Sequence, residues 1–173
     1  MLKNSEELVE KWKDVCLEED EMMFSLDVEK MFTSLKRNEV KKEVERLIED
    51  EEIIRGWKKE EIVKYLEYIW DNQYCIIEGE ILKIKEGLAI GSRMSPVLAE
   101  ILMKKWEKEK IDEEHRIRKF KRYVDDSIEI WRARKEDLER KVRSMEDSRK
   151  AIKLKLEVEE KRKIVFFLIS FEI

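Results

Sequence analysis

The chain has 173 residues, the length of a single domain. Charged residues make up 46% of it, against about 25% in an average protein, yet the net charge is only −4. The 42% of hydrophobic residues exclude a disordered chain. The apolar runs are too short for a membrane span, the polar N-terminus does not resemble a signal peptide, and two Cys with one His cannot form a structural zinc site. We therefore expect an intracellular protein, nuclear or cytoplasmic, without membrane contact.

The spacing of apolar residues predicts helices and strands in a mixed order. Helices are expected over residues 3–20, 35–50, 58–72, 97–109 and 135–149. Ser34 is the expected cap of the second helix. Strands are expected over 22–28, 74–77 and 81–84 as a hairpin turning at Gly79, two short strands within 120–131, and then 154–158 and 164–173. Because no βαβ repeat is present, this order predicts an α+β fold, an antiparallel sheet with helices packed on one face.

Glycine and proline are concentrated in one segment of this Gly-poor chain. Three of the four Gly and the only Pro lie within residues 79–96. Gly87 and Gly91 form a loop that enters a helix with Pro96 near its first turn. Since glycine lets the backbone approach a ligand closely, the loop suits a phosphate or a base pair. The alternative interpretation is an ordinary connection between a hairpin and a helix.

Two adjacent carboxylates, Asp125 and Asp126, lie between apolar runs. A plain turn is one interpretation, because Asp favours turns. Two negative charges at one point are unfavourable unless a cation relieves them, and Mg²⁺ prefers carboxylate and phosphate oxygens. Upstream, the apolar strand over residues 24–28 delivers Asp27 near its end, where a lone Asp is usually a cap or turn residue.

Taken in chain order, the Asp27 strand, the glycine loop and the Asp125-Asp126 segment resemble motifs A, B and C of a reverse transcriptase palm. The resemblance covers about residues 22–170 and is closest to the Penelope-like retroelement type. It is carried by Phe24–Val28 with Phe32–Leu35, Gly87–Ser92 with Ser95–Glu100, Arg122–Asp126, and Ile152–Glu157 as motif D. Three positions depart from the family pattern: Ile84 replaces a usual Gln, Ile90 a usual Met, and Leu168-Ile169 a usual Phe-Leu-Asp.

The resemblance implies a single domain over residues 1–173, a polymerase palm-like sheet with a partial helical fingers region. N-terminal fingers motifs, a thumb and an endonuclease domain are expected to be absent. The implied function is RNA-directed DNA polymerase of a retroelement, in a truncated or degenerate copy. A non-catalytic palm that binds nucleic acid or a protein is the alternative. A helical scaffold is disfavoured because it has no need for this arrangement of Gly, Pro and Asp.

The resemblance also implies roles for individual residues. Asp27, Asp125 and Asp126 are the expected catalytic residues and, with the backbone carbonyl of Val28, would hold two Mg²⁺ ions, with Mn²⁺ as a substitute. Phe32 stands at the steric-gate position that excludes a ribose 2′-hydroxyl. The expected partners are an RNA template, a DNA primer and a deoxynucleoside triphosphate. The nucleotide would contact Phe32, Gly91, Ser92 and Lys163, and the nucleic acid Arg93, Arg122 and Tyr123.

Overall fold

The computed structural model describes most of the chain. The described residues are 2, 4–48, 53–54, 56–146, 152–160, 163–166 and 169–172. They fall into two compact units, which we call the sheet unit (residues 1–29 and 106–173) and the loop unit (residues 30–105). No helix in the described ranges is long and apolar enough to span a membrane.

The elements alternate irregularly between helix and strand. In chain order they are α1 (Ser5–Trp12), β1 (Glu21–Glu29), α2 (Met31–Ser34), α3 (Arg37–Leu47), β2 (Ile53–Ile54), β3 (Trp57–Lys58), α4 (Lys59–Asp71), β4 (Tyr74–Ile77), β5 (Glu80–Lys83), α5 (Ser95–Lys110), β6 (Ile117–Tyr123), β7 (Asp126–Arg132), α6 (Lys135–Met145), β8 (Lys153–Val158), β9 (Lys163–Phe166) and β10 (Ile169–Glu172).

The sheet unit is built on a four-stranded sheet in the order β6-β7-β1-β8, with every pair antiparallel. The α+β class and the antiparallel sheet are therefore confirmed. The single strand expected over residues 164–173 is instead the hairpin of β9 and β10. Helix α1 ends at Trp12, well short of residue 20, because the chain turns at Lys13 and Val15.

Helix α1 packs on one face of this sheet, and α5 makes an ion pair with a residue of the other face. On one face, Leu8 and Trp12 of α1 pack with Met23, Ile128 and Ile130 in a buried cluster. Val15 and Leu17, which follow α1 in irregular chain, pack against the same cluster. The neighbouring strand positions point to the other face because side chains alternate along a strand. That second face receives Glu107 of α5, through an ion pair with Arg122.

In the loop unit, α3 and α4 are followed by the predicted hairpin of β4 and β5. Glu78 and Gly79 form its turn, both with positive φ (52° and 85°), which explains why Gly marks this position. Ser34 does not cap the following helix as expected. Its hydroxyl donates to the carbonyl oxygen of Met31 (3.2 Å), and Lys36 is the N-cap residue of α3, without a side-chain cap.

The second face of the sheet buries a carboxyl group that lacks a cation partner. Glu129 of β7 is fully buried, and neither of its carboxyl oxygens has a hydrogen-bond partner among the described residues. The nearby Ser127 hydroxyl, which would favour the charged form, donates to the carbonyl oxygen of Leu26 at 3.3 Å. Burial therefore raises the pKa of Glu129 well above 4.5, and the negative charge of Glu107 adds to the rise.

Replacing Glu129 with Gln is expected to flatten the pH dependence of stability. The folded protein keeps this proton above pH 4.5, whereas the unfolded chain loses it there. The free energy of unfolding therefore falls by about 1.4 kcal/mol per pH unit as the pH rises above that value. Gln has no proton to lose, so the stability of the variant should fall less than that of the parent between pH 5 and pH 7. Urea unfolding at the two pH values measures this.

Glu114→Gln is the matched control. The hydrogen bond from Arg116 lowers the pKa of Glu114 to about 2, so this carboxylate stays charged in both states across the same range. Its effect on stability should not change between pH 5 and pH 7. A constant difference between the parent and Glu129→Gln would show instead that Glu129 is ionised in the folded protein.

Candidate active site

The pairing of β1 with β7 brings two of the predicted aspartates together. Asp27 lies directly opposite Asp126 in the ladder, so both side chains point to the same face. One residue further on, the backbone N–H of Val28 donates to the carbonyl oxygen of Asp125 at 3.1 Å. Residues far apart in sequence, from the predicted motifs A and C, therefore meet at one end of the sheet.

The electrostatics of this pair favour a proton or a cation between the carboxyls. Burial, followed by the charge of Asp125, raises the pKa of Asp27, while Lys155 opposes the rise. Burial raises the pKa of Asp126 to about 6, helped by the negative charges of Asp125, Asp27 and Glu157. Partial burial weakens solvation of the charged forms, and the like charges repel one another.

The donor set fits a divalent cation only in part. Within the described residues, no three Asp, Glu, His or Cys side chains converge closely enough to hold a metal ion. Asp27 and Asp126 alone nevertheless supply paired hard oxygen ligands. Burial, and after it neighbouring negative charge, raises the pKa of both carboxyls, and a bound positive charge would favour their ionised forms. A cation here would be held first by these two residues.

Strand β6, which leads into the turn that carries Asp125, contains a buried arginine. Arg122 is only 2% exposed, and its guanidinium pairs with Glu107 and donates to the carbonyl oxygen of Val124 at 2.5 Å. The expectation that Arg122 contacts nucleic acid does not agree with this position, because the burial withholds the side chain from a phosphate. Sequence spacing could not show that Arg122 points away from the aspartates.

The sheet unit contains two further residues that the sequence assigned to the site, Tyr123 and Lys163. Tyr123 pairs with Asp126 in the ladder and packs, half-buried, against the cluster that contains Met23. Lys163 lies in β9, and its side chain is outside what the structure describes. Sequence reasoning missed Lys155, which pairs with Asp27 across β1 and β8. The alternation of charged and apolar residues in β8 was the available signal.

In the loop unit, the segment of Phe32 contacts the glycine loop through the backbone. Leu88 donates its N–H to the carbonyl oxygen of Phe32 at 2.6 Å. Gly87 has a φ of +75°, and a Cβ there would lie 2.7 Å from the carbonyl oxygen of Thr33. Phe32 itself is half-buried and lies outside the buried core. The predicted motif B therefore needs Gly87 for close packing against the end of the predicted motif A.

Three side chains hold the glycine loop in place. Arg37 donates to the carbonyl oxygens of Ile84 (2.6 Å) and Gly87 (3.3 Å). At Ala89, the side chain of Gln73 accepts the backbone N–H (3.3 Å), and the hydroxyl of Ser95 donates to the carbonyl oxygen (2.7 Å). The loop is therefore anchored on both sides of its apolar residue Leu88, which is 1% exposed.

Beyond these anchors the loop is open to solvent. Gly91 is exposed and has a φ of +91°, and a Cβ at this residue would meet no atom within 4 Å. Ser92 is half-buried and accepts the N–H of Met94 at 3.4 Å. Arg93 is exposed and makes no ion pair or hydrogen bond within the described part of the chain. These residues are accessible to a ligand, as the predicted contacts require.

A family model described as "Reverse transcriptase (RNA-dependent DNA polymerase)" matches residues 5–168. The chain belongs to the reverse transcriptase family. This membership agrees with the three predicted motifs and with the antiparallel sheet. No curated protein matches the chain significantly.

Solved telomerase structures have a similar fold. Apo telomerase from Candida tropicalis, truncated from the C-terminal domain, gives a TM-score of 0.69 at 19% identity, covering 95% of this chain and 36% of that one. Telomerase from the same organism in complex with a TWJ fragment of telomeric RNA gives 0.71 at 15% identity, covering 95% and 31%. This chain therefore spans about a third of the length of the telomerases it matches.

Replacing Gly87 with Ala should destabilise the protein more than replacing Gly91. The new Cβ at residue 87 would clash with the backbone of Thr33, and the alanine would have to keep a left-handed φ. Together these two effects should cost roughly 2–4 kcal/mol. Gly91→Ala meets open space, so it bears only the backbone cost of about 1–2 kcal/mol. Urea unfolding of both variants measures the difference. Equal losses would mean that Gly87 does not pack against Thr33.

Proposed function

We propose that this chain carries the catalytic centre of an RNA-directed DNA polymerase. The reaction is transfer of a deoxynucleotide from its triphosphate to a primer 3′-hydroxyl on an RNA template, with release of pyrophosphate. The observation that carries the proposal is the pairing of Asp27 with Asp126, which brings carboxyls from two distant segments to one point. Family membership over residues 5–168 supports it.

The proposed source is a retroelement of the Penelope-like type, acting in the nucleus or cytoplasm. Support comes from the sequence around the glycine loop, Gly87–Ser92 with Ser95–Glu100, and from Arg122–Asp126. The similarity to telomerases is one of fold at under 20% identity, so it is compatible with this source without selecting it.

In this proposal, Asp27 and Asp126 would hold Mg²⁺ first, or Mn²⁺ in its place, and Asp125 with the carbonyl of Val28 would complete a site for two ions. When bound, the cations would acidify the primer hydroxyl and neutralise charge on the triphosphate. The protein supplies positioning, because the antiparallel ladder keeps the two carboxyls on one face before substrate arrives. The repulsion between them favours cation binding over an empty, doubly charged state.

The other substrate contacts are proposed from the family resemblance, residue by residue. Phe32, half-buried at the end of the predicted motif A, would exclude a ribose 2′-hydroxyl, and Gly91 with Ser92 would approach the nucleotide. Exposed Arg93 would contact template phosphate, and Tyr123 the primer end. Lys163 would contribute a positive charge to the nucleotide.

A non-catalytic palm that binds nucleic acid or a protein is the second candidate. One observation favours it: no three ligating side chains converge among the described residues. It differs from the first candidate in one measurable respect. Nucleic acid binding would fall with salt and would not depend on Asp27 or Asp126.

Primer extension on an RNA template, with Mg²⁺ or Mn²⁺, tests the catalytic proposal. Asp27→Asn and Asp126→Asn should each reduce extension by at least about a hundredfold, because each removes a carboxyl placed to stabilise charge in the transition state. Asp112→Asn is the matched control, since Asp112 is exposed in the turn after α5. Chelation with EDTA should abolish the signal.

Two results would count against catalysis. One is a parent chain that extends no primer with either ion. The other is extension that survives both substitutions at the level of Asp112→Asn. In either case, RNA binding that is salt-sensitive and equal in all variants would support the second candidate.

Lys155→Met is expected to slow extension more than Lys163→Met. Lys155 pairs with Asp27 in the sheet, and its positive charge lowers the pKa of that carboxyl. Its removal should slow single-turnover extension on the order of tenfold, because Asp27 loses a neighbouring positive charge. A larger loss in Lys163→Met would assign the assisting lysine to β9 instead.

A further inference from the structure

The turn between β6 and β7, which presents Asp125 and Asp126, is strained at Val124. Val124 has a φ of 53°, in the left-handed region. Of the three described non-glycine residues with positive φ, it is the β-branched one, and branching at Cβ makes this conformation especially unfavourable. Such a residue keeps its conformation only when its surroundings hold it there.

Arg122 holds Val124 in this conformation through its planar guanidinium group, which makes contacts at two of its edges. Its Nη1 donates to the carbonyl oxygen of Val124 at 2.5 Å, and its Nε side pairs with Glu107 of α5. Because the guanidinium is rigid, fixing one edge on the helix fixes the direction of the other edge. The side chain is 2% exposed, so water competes little for either contact.

The position of Arg122 excludes direct contact with substrate at the aspartates. In the ladder, Arg122 pairs with Ser127 and Tyr123 pairs with Asp126. Alternation then places Arg122 on the face opposite Asp126 and its partner Asp27. Any influence on the carboxyls must therefore pass through the turn.

We infer that Arg122, anchored by Glu107, is a positioning residue that holds the strained turn at Val124 and so sets the placement of Asp125 and Asp126. The part of this inference that concerns metal binding and catalysis rests on the proposed function. The contact between the N–H of Val28 and the carbonyl oxygen of Asp125 reports on the same turn without metal or substrate. It offers a test that does not depend on activity.

Amide hydrogen exchange, followed by NMR, compares Val28 with Phe24 on the same strand. In Arg122→Met, exchange at Val28 should accelerate about tenfold relative to Phe24, as expected when a charge-assisted hydrogen bond supporting the turn is lost. Arg118→Met is the matched control, because Arg118 also lies on β6 and pairs with Glu21 at the other end of β1. Equal acceleration of both amides in Arg122→Met would show a purely structural role and overturn the inference.

A second experiment relieves the backbone strain at Val124. Glycine adopts a positive φ without cost, so adding Val124→Gly to Arg122→Met should restore Val28 exchange to within about threefold of the parent. Recovery supports the role of strain. An unrelieved double variant would show that Arg122 does not act by holding Val124.

Binding of Mn²⁺ alone, measured by electron paramagnetic resonance, tests whether the turn affects cation binding by the aspartates. Arg122→Met should weaken binding about tenfold, while Arg118→Met leaves it unchanged. Full binding in Arg122→Met, with loss in Asp126→Asn, would overturn the inference and leave the proposed function intact. Binding that does not depend on Asp126 would contradict the proposed function, and the exchange measurements would then decide the inference alone.

Discussion

The register between β1 and β7 is the constraint on which the candidate site depends. It places Asp27 opposite Asp126 and aligns Val28 with the carbonyl of Asp125. A shift of one residue would turn Asp27 to the other face, where the sheet is buried. The apolar partners further along β1, which must stay in the core, therefore hold two repelling carboxyls together. Hydrophobic burial stabilises an arrangement that electrostatics alone would disfavour.

At the end of the sheet that carries Asp27 and Asp126, the two faces differ in how their charged groups are neutralised. Behind the turn, Arg122 neutralises Glu107, and Glu129, which has no cation partner, keeps its proton. In front, within the described part of the chain, Asp27 and Asp126 lie beside the exposed cation Lys155, which also pairs with Glu157. The two aspartates therefore retain negative charge that a bound cation would neutralise, consistent with a site arranged for charged ligands.

Local patterns predicted the elements well, because hydrophobic period and turn chemistry act over a few residues. The hairpin around Gly79 follows from the positive φ that its turn requires. Ser34 failed as a cap because its hydroxyl bonds the preceding turn instead. The roles of Arg122 and Lys155 depend on strand order and on which face each side chain takes. Those are tertiary facts, and no single segment of sequence contains them.

The glycine loop of this protein is held without a hydrogen-bonding side chain at Ile84, where the family usually has Gln. A Gln there would offer a hydrogen-bonding side chain, but in this protein the backbone of Ile84 makes the contacts, accepting from Arg37 and donating to the carbonyl of Gln73. The side chain of Gln73 then reaches the backbone of Ala89 within the glycine loop. Because the loop needs donors and acceptors at given points rather than at given sequence positions, other residues can supply them. The substitution at Ile84 is therefore weak evidence against a functional loop.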